Sequence, residues 1–210
     1  ITWVTGVQTC ALPIFQSTSS LRSVEVLNPK PGDNVLDMCA APGGKSTAMA
    51  EMMNDTGFIL ACDIHDHRVR LIKELSKRLG LSSIKTKVMD ATLYNESLCE
   101  RFDKVLADVP CSGLGIIAGK PELKLHVDFN ELPSLYEIQY SILKNAFYYL
   151  KTGGELLYST CTINKRENEH IVSRLCASFE NSSIVEYNSI LPYNKQVGFY
   201  YCKIKKCSNL

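Results

Sequence analysis

Four apolar runs in this chain each end on an aspartate, and between them the hydrophobic period switches to that of a helix. Residues 35–36 run into Asp37 after the turn Pro31-Gly32-Asp33, residues 58–62 into Asp63, residues 84–89 into Asp90 and residues 104–107 into Asp108. A helix is expected over 45–53, and Val69, Ile72, Leu75 and Leu79 mark the buried face of another that stops at Gly80. After a long loop the alternation resumes with helix 132–150, strand 155–158 and helix 167–179, then strands near 184–187 and 199–204. Such alternation predicts an α/β fold with a doubly wound, mostly parallel sheet of seven strands.

A chain of 210 residues with 45% hydrophobic and 21% charged residues suffices for one such domain around one core. The net charge of +1 neither requires nor excludes a polyanionic partner. No run has the length of a membrane span, no secretory signal is recognised, and nine cysteines scattered without a CxxC pair read as free thiols of a reducing cytoplasm. Residues 4–14, VTGVQTCALPI, match a translated sequencing adapter, so the natural sequence is expected to begin near Phe15. Residues 1–14 are therefore set apart from a single domain over 15–210, and a preceding region is expected to be missing.

In a doubly wound sheet, ligands bind outside the carboxyl ends of the strands. That rule gathers Asp37, Asp63, Asp90 and Asp108 at one cleft, with Cys111 of Asp108-Val-Pro-Cys-Ser-Gly113 and Cys161 of Ser159-Thr-Cys-Thr162. The loop Cys39-Ala40-Ala41-Pro42-Gly43-Gly44-Lys45 lets a ligand approach the backbone. It is not a P-loop, because Cys39 stands where the first glycine belongs, and the dinucleotide pattern G-x-G-x-x-G is absent. S-adenosylmethionine fits better: Asp63 is placed for ribose hydroxyls and Asp90 for the adenine amino group. Taken singly, a strand-end aspartate reads first as a turn or capping residue; it is the set of four that favours a ligand.

Residues Cys39 to Lys45, Asp108 to Gly113, and Ser159 to Thr162 followed by Glu167-Asn168-Glu169 resemble the signature blocks of the RNA cytosine-5 methyltransferases of the Nol/Nop/Sun group. The resemblance runs in order from about Phe15 to Lys206. The segments Gly113-Leu-Gly-Ile-Ile117, Lys120-Pro-Glu-Leu-Lys124 and Gly198-Phe-Tyr-Tyr-Cys-Lys203 are most similar to bacterial members acting on 16S ribosomal RNA. It implies a Rossmann-like S-adenosylmethionine-dependent methyltransferase fold over 15–210, with cofactor contacts from Cys39 to Lys45 and from Asp63, Asp90 and Asp108. It also implies Cys161 as nucleophile, Cys111 as the residue that helps resolve the adduct, and RNA rather than DNA as partner. No membrane and no obligate protein partner is called for. Two departures stand out: Ser17 replaces the acid of a Gln-Asp-x-x-Ser block, and the loop after Gly119 is poor in arginine.

The chemistry supports those assignments independently. Carbon 5 of cytosine is a poor nucleophile until a thiolate adds to carbon 6 and creates an enamine. A free thiol with a pKa of about 8.5 is only roughly 3% ionised at pH 7, so the attacking cysteine needs a stabilised thiolate. A helix start after Cys161, with Asn164 as cap and Glu167 at its third position, is expected to supply positive potential. Asp108 is expected to hydrogen-bond ring nitrogen 3 and to need burial or a neighbouring anion to hold a proton. Pro110-Cys111 imitates the nucleophile of DNA cytosine-5 methyltransferases, so the choice of cysteine is the sharpest question in the sequence.

Lys45 is expected to orient Asp108 or the cofactor carboxylate. Arg68, Arg70, Lys73, Lys77 and Arg78 line a helix and Lys203, Lys205 and Lys206 lie near the end; both groups read first as solvated faces and second as RNA contacts. His65, His67, His126 and His170 have no ligand-like spacing with the cysteines, so no metal is expected. A non-catalytic RNA-binding or ribosome-assembly module and a redox protein using Cys111 and Cys161 are the competing classes.

Overall fold

The computed structural model describes residues 18–117, 130–193 and 197–208. Residues 4–14, Ser17, His126 and the segment Lys120 to Lys124 lie outside the described residues. The elements in chain order are α1 (Thr18–Leu27), β1 (Asn34–Asp37), α2 (Gly44–Met52), β2 (Phe58–Asp63), α3 (Asp66–Arg78), β3 (Ile84–Val88), β4 (Phe102–Asp108), α4 (Leu132–Tyr149), β5 (Leu150–Thr160), α5 (Glu169–Ser178), β6 (Ser182–Ile190) and β7 (Phe199–Lys206).

The seven strands form one sheet in the order β3-β2-β1-β4-β5-β7-β6. β1 to β5 pair in parallel, whereas β7 runs antiparallel to both β5 and β6. Helices cover both faces, which is why the central strands are apolar at successive positions rather than at alternate ones. Val35, Ile59, Leu106 and Leu157 pack with Val24 and Leu27 of α1, Met49 of α2 and Ile72 of α3. Leu36, Val105, Leu156 and Tyr158 pack on the other face with Leu143 and Phe147 of α4 and Leu175 of α5.

Chain order reverses between β1 and β4, which are neighbours in register from Val35↔Lys104 to Asp37↔Leu106. The crevice therefore opens above the ends of those two strands. Asp37, Asp63 and Asp108 are the last residues of their strands, but β3 ends at Val88, so Asp90 sits two residues beyond its strand, where the next turn begins. Helix α1, for which the sequence reading had no element, packs against α2, β5 and β7.

Candidate active site

A cleft of about 410 Å³ lies at the carboxyl end of the sheet, and Met38, Cys39, Asp63, Asp90, Asp108, Cys111 and Cys161 all reach it. That size suits a small-molecule site. Its floor is the turn from β1 into α2. Gly43 has φ +110, and a Cβ there would sit 3.1 Å from Ile72 Cα, so the close approach of this turn to α3 requires glycine. Asp63 Oδ2 accepts from Ala41 N–H at 3.3 Å, and its Oδ1 lies 3.4 Å from Arg68, so the carboxylate braces the turn as well as facing the cleft. Asp90 Oδ1 accepts from the Thr92 amide at 2.9 Å and its hydroxyl at 2.6 Å, the turn-forming role that a lone aspartate is expected to play. Its Oδ2 has no partner among the described residues.

Asp37 lies beneath this turn. Ser46 Oγ donates to its Oδ2 at 2.7 Å, while Oδ1 is buried without a partner among the described residues. Burial pushes this carboxyl up to about 7 despite the Ser46 bond and nearby Lys45. Burial also raises the Cys39 thiol well above its ordinary range, so Cys39 is an unreactive wall of the cleft.

Lys45 Nζ lies 2.6 Å from Asp108 Oδ2, and Ser159 Oγ donates to Oδ1 at 2.6 Å. Burial pulls the Lys45 ammonium down, but Asp108 more than offsets it and leaves the pKa above the ordinary value. The hydrogen-bond partners of Asp108 are thus a cation and a hydroxyl donor. The expected link between Lys45 and Asp108 is present.

The two cysteines meet above the ends of β4 and β5. Those strands pair through Asp108↔Ser159, and the chain beyond each brings Cys111 Sγ to 3.1 Å from Cys161 Sγ. Cys161 N–H points at Cys111 Sγ at 3.3 Å. The hydrogen bond from Cys111 lowers the Cys161 pKa, partly opposed by burial and by Asp108. The same bond, with burial, raises Cys111. Both directions correspond to Cys111 donating across the S···S contact, in which either sulfur has the geometry of a donor.

The helix expected directly after Cys161 begins later. α5 starts at Glu169 with Asn168 at the preceding position, and residues 165–168 form a turn. Asn164 Oδ1 still accepts from Arg166 N–H at 3.1 Å, but Glu167 is not a capping residue. Its fully buried carboxylate accepts from Ser112 N–H (2.8 Å), Ser112 Oγ (2.6 Å), Gln139 Nε2 (3.0 Å), Asn164 Nδ2 (3.0 Å) and Thr162 Oγ1 (3.3 Å). These bonds tie the Cys111 loop, the Cys161 segment and α4 together. Sequence reasoning missed this role, and Gln139, which also donates to Pro110 C=O at 2.9 Å, carried no signal within its own helix.

The glycine-rich continuation of the Cys111 block also has a structural reason. Gly115 N–H donates to Cys161 C=O at 3.0 Å, and Gly198 N–H donates to Gly115 C=O at 2.7 Å. A Cβ on Gly115 would lie 2.7 Å from the Cys161 carbonyl oxygen, so three separated sequence blocks meet at Gly115. Every described cysteine is free, and no group of His, Cys, Asp and Glu among the described residues could hold a metal ion. No helix among them is long and apolar enough to cross a membrane.

A doubly wound seven-stranded sheet with β7 antiparallel beside β5, and a cleft above β1, β2 and β4, defines the Rossmann-like class of S-adenosylmethionine-dependent methyltransferases. The family model described as 16S rRNA methyltransferase RsmB/F matches residues 24–205, and the chain belongs to that family. This bears out the resemblance read from the signature blocks. The chain is 44% identical over 159 residues to the probable ribosomal RNA small subunit methyltransferase B of Bacillus subtilis, covering 75% of this chain and 36% of that protein. It is 37% identical to the protein of the same description from Synechocystis, covering 91% of this chain and 47% of that one. The chain thus spans less than half the length of these relatives. Among solved structures, NSun6 from Pyrococcus horikoshii, crystallised with an S-adenosylmethionine analogue, superposes with a TM-score of 0.83 at 30% identity over 93% of this chain and 53% of that one.

Proposed function

We propose that this chain transfers a methyl group from S-adenosylmethionine to carbon 5 of a cytosine in small-subunit ribosomal RNA, through a covalent bond between Cys161 and carbon 6. Residues 15–210 are its catalytic domain. The observation that carries the proposal is the pair of thiols, 3.1 Å apart, that lines the same cleft as Asp63, Asp90 and Asp108. The backbone of Cys39 to Lys45 with those three carboxylates would hold the cofactor, which supplies an electrophilic methyl group.

Cys161 is the nucleophile in this reading: a proton held by Cys111 across the S···S contact and the nearby Lys45 cation both favour its charge. Its addition to carbon 6 needs negative charge to be neutralised at ring nitrogen 3. In this reading the Lys45–Asp108 pair serves that edge, with the Lys45 ammonium as the source of the proton. Carbon 5 then carries the enamine electron pair and takes the methyl group. Loss of the carbon-5 proton to a base and return of the nitrogen-3 proton to the Lys45–Asp108 pair restore the ring and expel Cys161 as thiolate, and the Cys111 S–H next to it stabilises that leaving sulfur. A non-catalytic module has no use for the thiol pair, and a redox protein has no use for the strand-end acids.

The test uses methyl-labelled S-adenosylmethionine and unmodified small-subunit ribosomal RNA. Label at cytosine carbon 5 with the wild-type chain, and none with Cys161→Ala, is the expected result. Label at another atom, or undiminished label with Cys161→Ala, contradicts it.

A further inference from the structure

Charge is distributed unevenly along this chain. Residues 68–87 hold seven lysines and arginines against one acid, a net of +6, in a chain whose total is +1, so the remaining residues sum to −5. Arg68, Arg70, Lys73, Lys77 and Arg78 lie on α3, and Lys85 and Lys87 lie on β3, the edge strand on the β2 side of the sheet. All except the half-buried Arg68 are exposed. Arg68 pairs with Asp63 and Arg70 with Asp66, while Lys73, Lys77, Arg78, Lys85 and Lys87 have no ion pair among the described residues. The basic group near the end of the chain behaves differently: Lys203 pairs with Glu155, and Lys206 with Glu100, so those two charges are consumed within the fold.

We infer that the outer edge of the sheet, α3 with β3, is a docking surface for the phosphate backbone of RNA leading into the cleft. The inference rests on the reading that the substrate is RNA and adds where the chain holds it. The surface is continuous with the site, because His65 and Arg68, at the start of α3, line the cleft. At 1.5 Å per residue, the 13 residues of α3 span roughly 20 Å, the axial length of about six phosphates of one duplex strand. Lys85 and Lys87 register with Leu60 and Cys62, on the sheet face opposite α3, so the charge wraps over the edge. Lysines on an open strand can serve merely to prevent pairing with another sheet. That need does not explain Lys73 and Lys77, which are on a helix and equally unpaired.

The experiment measures binding of a fluorescein-labelled, mixed-sequence RNA hairpin by anisotropy over a salt series. It compares wild type, the double reversal Lys73→Glu with Lys77→Glu, the single Lys87→Glu, and a control reversal at Lys30 and Lys144. Thermal melts and cofactor affinity verify that each variant is folded. The α3 double variant is expected to bind at least about tenfold more weakly at low salt, with the log–log salt slope reduced by about 1.5, Lys87→Glu to show about half that loss of slope, and the control to match wild type. Equal binding by the α3 variant and wild type overturns the surface and leaves the methyltransferase reading intact. Normal cofactor binding with no RNA binding by the wild-type chain overturns the surface and the choice of RNA together. An equal loss of binding to a polyglutamate peptide points to an acidic protein as the partner and also overturns the proposal.

Discussion

At the scale of single residues, the proposed chemistry depends on two sulfur atoms of unequal acidity. Cys161 ionises more readily because Cys111 donates to it, and Cys111 less readily for the same reason. Removing the donor should therefore reverse the first effect. In Cys111→Ala, the pH midpoint for alkylation of Cys161 is expected to rise toward or beyond the ordinary thiol value of about 8.5, since burial and Asp108 then act without opposition from Cys111. Iodoacetamide labelling at Cys161, followed by peptide mass spectrometry across pH, measures that midpoint. An unchanged midpoint would mean that Lys45 and the backbone alone set the thiolate. Both cysteines were legible in the sequence because each ends a strand block. Their mutual distance was not, because it depends on the pairing of β4 with β5.

Among the elements, the decisive connection is Glu167, which joins the loop after β4, the segment after β5 and the middle of α4. A buried carboxylate held by neutral donors alone is stable only while those donors stay in place. Glu167→Gln keeps the shape but gives the buried Ser112 N–H and hydroxyl an amide to face. The expected cost is about 1–3 kcal/mol of stability. Methyl transfer should fall at least about tenfold with cofactor affinity unchanged, and the Cys111-dependent shift in Cys161 alkylation should be lost. Normal turnover with that shift intact would reduce Glu167 to a packing residue. The same tertiary bonds explain why sequence reasoning misplaced the start of α5: Glu167 has the spacing of a cap, but its carboxylate is committed elsewhere. β5 was read as beginning at Glu155, yet it extends back to Leu150, because register slips between Phe102 and Lys104 and the Gly153-Gly154 stretch bulges within the strand. Helix α1 has a serine-rich start and gains its stability from contacts with α2, β5 and β7, which no local pattern displays.

Across the whole molecule, the strand order was legible as a class, because helices on both faces leave continuous apolar runs, but the cost of building the cleft was not. Asp37 lies under the cofactor turn with its carboxyl raised by burial to about 7, against about 3.9 in an unfolded chain. Between about pH 4 and 7 the folded chain keeps a proton that the unfolded chain has released, so stability falls as pH rises, by up to about 1.4 kcal/mol per unit. Above pH 7 both forms are ionised and the loss stops growing. Asp37→Asn is expected to be about as stable as wild type near pH 4 and more stable by up to a few kcal/mol at pH 7 to 8, as measured by urea denaturation. A gap that does not widen with pH would place the buried charge elsewhere. The most direct test of the central claim is the mass of the protein after incubation with S-adenosylmethionine and unmodified small-subunit ribosomal RNA, under denaturing conditions that preserve covalent bonds. The account predicts an RNA-linked species that accumulates in Cys111→Ala and is absent in Cys161→Ala; the opposite pattern would make Cys111 the nucleophile and contradict the assignment.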